Sequence, residues 1–281
     1  MGSIPTVSMN GWLLRAPWLC EIRPVAGVQH VASADGTPIA YRASGSGDPL
    51  LLVHGSATSG ADWLFALPYL RDRFTVVTMD RRGRGASGDG PEYRMAREAE
   101  DVLAVLDAVD AELLTGHSYG ALCSILAVAA DRTDRLRRMV LYEPPIAVRA
   151  EWLTSLDELV AQGDLSGALE GFLGSAGVPA AQFDAIRSSP AWPTLLDAVP
   201  ALPRELRACA AWQHPRGPID VPTLFLQGGD TKGGAYLDGL EALKAAFPNH
   251  RDELIPGQHH IAHVFAAEAF AGLVGDFCAV R

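Results

Sequence analysis

Leu113-Leu114-Thr115-Gly116-His117-Ser118-Tyr119-Gly120-Ala121-Leu122-Cys123 sets one serine at the centre of G-x-S-x-G, between an apolar run and a stretch of helical character. A serine hydroxyl is a weak nucleophile until a neighbouring base takes its proton. The chemistry on offer is therefore acyl transfer, provided the fold brings a histidine and a carboxylate to the same place. The spacing predicts a strand turning directly into a helix, with Ser118 at the apex of this nucleophile elbow, strained and with Oγ exposed. Glycines at 116 and 120 fit such a turn, which crowds its neighbours. The helix beginning there aims its N-terminal N–H groups and positive dipole end at charge developing beside Ser118.

Other elements must carry the partners to that apex. Val28 to Ala34 and Thr37 to Ala43 alternate about Asp35-Gly36 and read as an antiparallel hairpin at one sheet edge. Leu50-Leu51-Leu52-Val53 is a continuous apolar run, as in a strand buried on both faces of a parallel sheet, and His54-Gly55-Ser56 ends it. Asp62 to Leu70 reads as a helix, Phe74 to Met79 as a strand and Asp80 to Gly88 as a long turn. Met95 to Val109 has apolar residues at helical spacing, with Glu98, Glu100 and Asp101 near its start. After Ser118 a helix runs to about Ala130, and Leu136 to Tyr142 is a strand ending at Glu143-Pro144-Pro145. This alternation implies a doubly wound, mostly parallel α/β sheet.

Between residues 146 and 216 the alternation stops. Helical patterns at Glu151 to Ala161, Leu165 to Leu173 (with Asp164 as N-cap), Ala180 to Ser188 and Arg204 to Trp212 are separated by Gly174, Pro179, Pro190, Pro193, Pro200 and Pro203. Their content of large apolar residues marks a helical insertion rather than a linker. Strands resume at Val221 to Gln227 and Glu253 to Ile255, with helices at Leu237 to Ala246 and His260 to Ala279. The expected organisation is an arm over 1–24, a core over 25–145 and 217–281, and a helical lid over 146–216.

With 281 residues, 48% of them hydrophobic, the chain has ample material for a core. Its formal net charge of −10 argues against nucleic acid and anionic membrane surfaces as partners. Cys20, Cys123, Cys209 and Cys278 are scattered, which predicts buried, reduced thiols and a cytoplasmic setting. Met1 to Asn10 lacks the basic region of a signal peptide, and no apolar run reaches the ~18 residues of a membrane span. No cofactor and no metal site is expected, and the partner is a small-molecule substrate.

Five stretches then point one way. Leu51-Leu52-Val53-His54-Gly55-Ser56, Asp80-x-Arg82-Gly83-x-Gly85-x-Ser87, the elbow itself, and the later pair Thr223-Leu224-Phe225-Leu226-Gln227-Gly228-Gly229-Asp230 and Ile255-Pro256-Gly257-Gln258-His259-His260 together resemble the α/β-hydrolase family, in particular its lidded, single-domain serine hydrolases of the esterase and lactonase kind. The resemblance implies a mostly parallel eight-stranded sheet with the lid inserted after the sixth strand. It implies an oxyanion hole from the N–H groups of Ser56 and Tyr119, with His54 pinning its loop and the Asp80 turn serving as architecture. It also implies a catalytic triad of Ser118, Asp230 and His260 in the family's chain order, with His259 and His263 as competitors for the base and Glu143 as an alternative acid.

Trp63, His117, Trp152, Phe172 and Trp192 are the expected pocket residues. Trp63 and His117 have competing readings as packed residues, and the insertion's aromatics as the lid's own core. The function expected is cofactor-independent hydrolysis of an apolar ester, lactone or thioester through an acyl-enzyme. Alternatives are a non-hydrolytic receptor or cyclase, a perhydrolase, and a carbon–carbon hydrolase using the same pocket.

Overall fold

A computed structural model describes residues 27–130, 135–146, 151–232 and 236–280. The expected arm, Cys20, and the side chain of Trp152 lie outside the described residues. Among those described, eight strands form one sheet in the order β1-β2-β4-β3-β5-β6-β7-β8. β1 (Gln29–Ala32), β2 (Pro38–Gly45) and β4 (Phe74–Met79) pair antiparallel in that order. β3 (Asp48–Val53), β5 (Leu113–His117), β6 (Arg138–Tyr142), β7 (Thr223–Gly228) and β8 (His250–Ile255) continue it in parallel from β4.

The unbroken apolar run of β3 is explained by its position, since Leu50, Leu51, Leu52 and Val53 are fully buried at the middle of the sheet. One face is covered by α2 (Met95–Val109) and α3 (Tyr119–Ala130), which bury Val102, Val105, Leu122 and Ile125. The other carries Trp63, α1 (Leu67–Leu70) and, at the C-terminal end, a helix over Ala267–Cys278 that buries Phe270 and Val274. Cys123, Cys209 and Cys278 are buried free thiols. No helix among the described residues is long and apolar enough to cross a membrane.

Between β6 and β7 the chain forms α4 (Glu151–Gln162), α5 (Leu165–Ser175), α6 (Phe183–Arg187), α7 (Trp192–Ala198) and α8 (Leu202–Ala210). Asp164 caps α5, its side chain accepting from the N–H of Gly167. α7 had no counterpart in the sequence pattern, because Pro193 reads as a breaker while it actually sits in the helix's first turn, where no N–H is needed. Leu156, Ala168, Leu169, Val199, Leu202 and Leu206 form a separate cluster in this insertion, and Ala57 of the loop after β3 joins it. After β7 come α9 (Leu240–Lys244), α10 (Ala262–Phe265) and α11 (Ala267–Cys278).

Candidate active site

Ser118 stands between β5 and α3 with φ at 53°, in the left-handed region that a residue with a Cβ adopts only under constraint. Its N–H is held by the Tyr142 carbonyl at 2.8 Å. A Cβ on Gly120 would lie 2.4 Å from the carbonyl oxygens of Val53 and His54, so only glycine lets α3 start against the end of β3. Tyr119 is the first residue of α3, and its N–H has no carbonyl within the helix to pair with.

The loop after β3 faces this helix start. His54 donates from Nδ1 to the Gly55 carbonyl at 2.8 Å and accepts at Nε2 from the N–H of Arg81 at 3.0 Å, which fixes it as the neutral Nδ1–H tautomer. Burial, and then the Arg81 charge, push its pKa down to about 4. The folded value lies below the unfolded value of about 6.5, so the neutral ring's contribution is complete above about pH 6.5 and is lost as the pH falls toward 4, roughly 3 kcal/mol in all. Urea unfolding across that range should show the loss, and a His54→Gln variant, which takes up no proton there, should show less of it.

The turn after β4 is a set of buried ion pairs. Arg82 grips Asp101 with two bonds of 2.7 Å and Asp35 with one of 2.9 Å. Asp80 accepts from the N–H groups of Gly60 and Ala86 and from Arg42. None of these groups is left for substrate, in keeping with an architectural turn.

His260 precedes α10, and its Nδ1 lies 2.7 Å from Oε2 of Glu143. Glu143 follows β6 with φ at 46°, a left-handed residue whose side chain is fully buried. Its Oε1 accepts from the Gly228 N–H at 2.8 Å and the Thr231 hydroxyl at 2.6 Å. Burial pushes the Glu143 carboxyl up, but the His260, Thr231 and Gly228 bonds outweigh it and hold the group below the usual carboxylate range.

The carboxylate against His260 is thus Glu143 and not Asp230, a correction to the sequence expectation. Asp230 is exposed, and its N–H bonds to the Gln258 carbonyl at 2.9 Å. A Cβ on Gly228 would lie 2.4 Å from the Gln258 oxygen, so the two loops touch backbone to backbone. That contact offers Glu143 an N–H and a hydroxyl from the β7 loop instead of a competing carboxylate.

The His260 loop is anchored from below. His117 donates from Nε2 to the His260 carbonyl at 2.9 Å, the Tyr142 hydroxyl donates to the His259 carbonyl, and the Ala262 N–H donates to that hydroxyl at 2.9 Å. His259 is half-buried and does not share His260's carboxylate. Tyr236, which the sequence did not single out, stacks on the His260 ring at 4.1 Å and 23°.

Of the expected pocket side chains, that of Trp152 lies outside the described residues, and the other four are placed as follows. Trp63 is fully buried, with its ring against His263 and Phe270, and belongs to the core beneath the site. His117 is a buried support. Phe172 and Trp192 pack against the insertion's own apolar cluster. Asp62, His117 and His263 converge with one ligand-type atom each within 4.8 Å, a grouping suited to a cation that the expectation of no metal site did not foresee. Within it, Asp62 already accepts from His263 Nε2 at 2.9 Å.

Residues 50–273 match the model of the alpha/beta hydrolase family. The chain therefore belongs to the alpha/beta hydrolase family. It is 37% identical over 120 residues to the N-formylmaleamate deformylase of Pseudomonas putida, covering 41% of this chain and 44% of the relative. It is 33% identical over 126 residues to a 2-(acetamidomethylene)succinate hydrolase of Mesorhizobium japonicum, covering 43% and 45%. The matched part spans less than half the length of these curated relatives. The solved structure of an alpha/beta hydrolase from Sphaerobacter thermophilus is 34% identical, covers 89% of this chain and 99% of its own, and superposes with a TM-score of 0.75.

Proposed function

We propose that this protein is a cofactor-independent serine hydrolase that cleaves an uncharged ester, lactone or thioester through an acyl-enzyme. Ser118 is the nucleophile, His260 the base and Glu143 the acid that orients it. The observation that carries the reading is the 2.7 Å contact between His260 Nδ1 and Glu143. A carboxylate on Nδ1 keeps the proton there and leaves Nε2 to take the Ser118 proton. The negative oxygen that forms on the attacked carbonyl is received by the N–H groups of Ser56 and Tyr119. The helices between β6 and β7 act as the lid.

An uncharged acyl group suits the surrounding charges. Arg81, against the ring of the elbow residue Tyr119, is neutralised by Glu98 and Glu205, and Arg84 by Glu205. Two guanidinium charges thus meet two carboxylate charges, which leaves no net positive charge there to attract a substrate carboxylate. The names of the deformylase and succinate hydrolase relatives make a charged panel the proper contrast.

The test is turnover on p-nitrophenyl esters, thioesters and lactones, with neutral acyl groups set beside carboxylate-bearing ones of equal size, and labelling by a fluorophosphonate. Neutral substrates should be favoured at least tenfold in kcat/KM, ~1.4 kcal/mol in transition-state binding. Labelling should fall on Ser118. A preference for the charged series would overturn the substrate class, and absence of labelling would overturn the nucleophile.

A further inference from the structure

Glu205 lies on α8 in the insertion, yet its side chain is fully buried against the loops at the strand ends. It pairs with Nη2 of Arg81 and, at 2.7 Å, with Nη2 of Arg84. Arg81 is fully buried as well and uses its whole fork. Nε and Nη2 bind Glu98 at 2.8 Å each, Nη2 also meets Glu205, and Nη1 donates to the Gly55 carbonyl at 2.9 Å. The guanidinium lies over the Tyr119 ring at 4.4 Å.

One side chain therefore touches both segments that supply the oxyanion donors. The Gly55–Ser56 peptide is trans, so its carbonyl and its N–H point in opposite directions. Whatever fixes the Gly55 oxygen aims the Ser56 N–H. That oxygen has two donors, the His54 ring and Arg81, and Arg81 is set by a carboxylate of the insertion. Next in the chain, Ala57 stands at φ 56° and is packed into the insertion's apolar cluster with Leu202 and Leu206 of α8.

We propose that Glu205 and Arg81 are positioning residues through which the seated lid aims the Ser56 N–H into the oxyanion hole. The inference rests on the hydrolase reading above and deepens it. Seating α8 completes the hole, and withdrawing Glu205 frees the guanidinium to turn away from Gly55. Neither residue touches substrate. The effect belongs to the transition state, where the oxyanion exists, and not to ground-state binding.

The test compares wild type, Glu205→Gln and Glu205→Asp on p-nitrophenyl butyrate. Active sites are counted by fluorophosphonate labelling, folding is followed by circular dichroism, and inhibition is measured with an alkyl trifluoromethyl ketone, which Ser118 converts into a tetrahedral oxyanion. In Glu205→Gln, kcat per labelled site should fall about tenfold to a hundredfold. The ketone should bind weaker by the same factor, with KM within about threefold of wild type. Glu205→Asp keeps the charge at a shorter reach and should lie between the two. A purely structural Glu205 would lower the number of labelled sites and leave kcat per site and ketone affinity unchanged, which would overturn the proposal. If the Gln variant does not fold, Glu205→Asp decides, because wild-type kcat and ketone affinity in that variant would equally overturn it. Wild type with no turnover and no labelling would instead sink the hydrolase reading, and this inference with it.

Discussion

Ser118→Ala is expected to fold normally and to lose turnover by about 10⁵- to 10⁶-fold, because the two-step route through an acyl-enzyme disappears while the oxyanion donors and binding contacts remain. The substitution keeps the Cβ that already sits at φ 53°, so it adds no backbone strain and removes only Oγ. His260→Ala should cost a similar amount. The double variant should be little worse than either single one, since nucleophile and base act as one unit. His259→Ala should stay within a few-fold of wild type. Its side chain is half-buried, and the loop contact at this residue is made by its backbone carbonyl to Tyr142. Steady-state rates per folded molecule on one ester measure all four. Wild-type turnover in Ser118→Ala would end the assignment of the nucleophile, and an inactive His259→Ala beside an active His260→Ala would move the base by one residue.

The parts of the fold that local pattern could report were legible in the sequence. β3 is an apolar run because it is buried on both faces, the Asp35-Gly36 turn joins β1 to β2, and α2 spans the very residues its helical spacing marked. The sequence pattern places Glu98 and Asp101 near the start of α2, where the helix dipole favours acids. Their larger role, pairing with Arg81 and Arg82 from a turn seventeen and nineteen residues away, depends on how helix and turn meet. Glu205 is harder still. A glutamate in a strongly amphipathic helix ordinarily faces water, and only the packing of α8 on the strand ends buries it.

The site was half legible for a related reason. Ser118 and its glycines are a local device, and local spacing identifies them. The carboxylate that meets His260 depends on two loops that come together only in the folded chain. Glu143 is swung by a left-handed backbone, which nothing in Glu143-Pro144-Pro145 announces, while Asp230 is exposed and meets the His260 loop through its backbone N–H. The aromatic residues of the insertion carry two readings at once, pocket lining and local core. Short helices need a core of their own, and the partly buried Phe172 and Trp192 pack against it, a contact that periodicity cannot assign.

Glu143→Gln is expected to lower kcat about 10⁴-fold, because the amide can present its NH₂ to Nδ1 and hold His260 in the tautomer whose Nε2 carries the proton and cannot act as base. Asp230→Asn should stay within about threefold of wild type. Asp230 is exposed, and its hydrogen bond to Gln258 is made by the backbone N–H, which the substitution keeps. Stability should separate the two as well. Burial alone would raise the Glu143 carboxyl, but His260, Thr231 and the Gly228 N–H overcome it and hold it below the usual range. With the folded value below the unfolded one of about 4.3, the carboxylate's contribution is complete above that pH and is lost as the pH falls through the folded value. The stability gap between wild type and Glu143→Gln should therefore be widest near neutral pH and close on the acid side, as read by urea unfolding over that range. A severe loss in Asp230→Asn beside a mild one in Glu143→Gln would transfer the acid to the loop after β7. It would also mean that the buried Glu143 contact at His260 serves the fold and not the reaction.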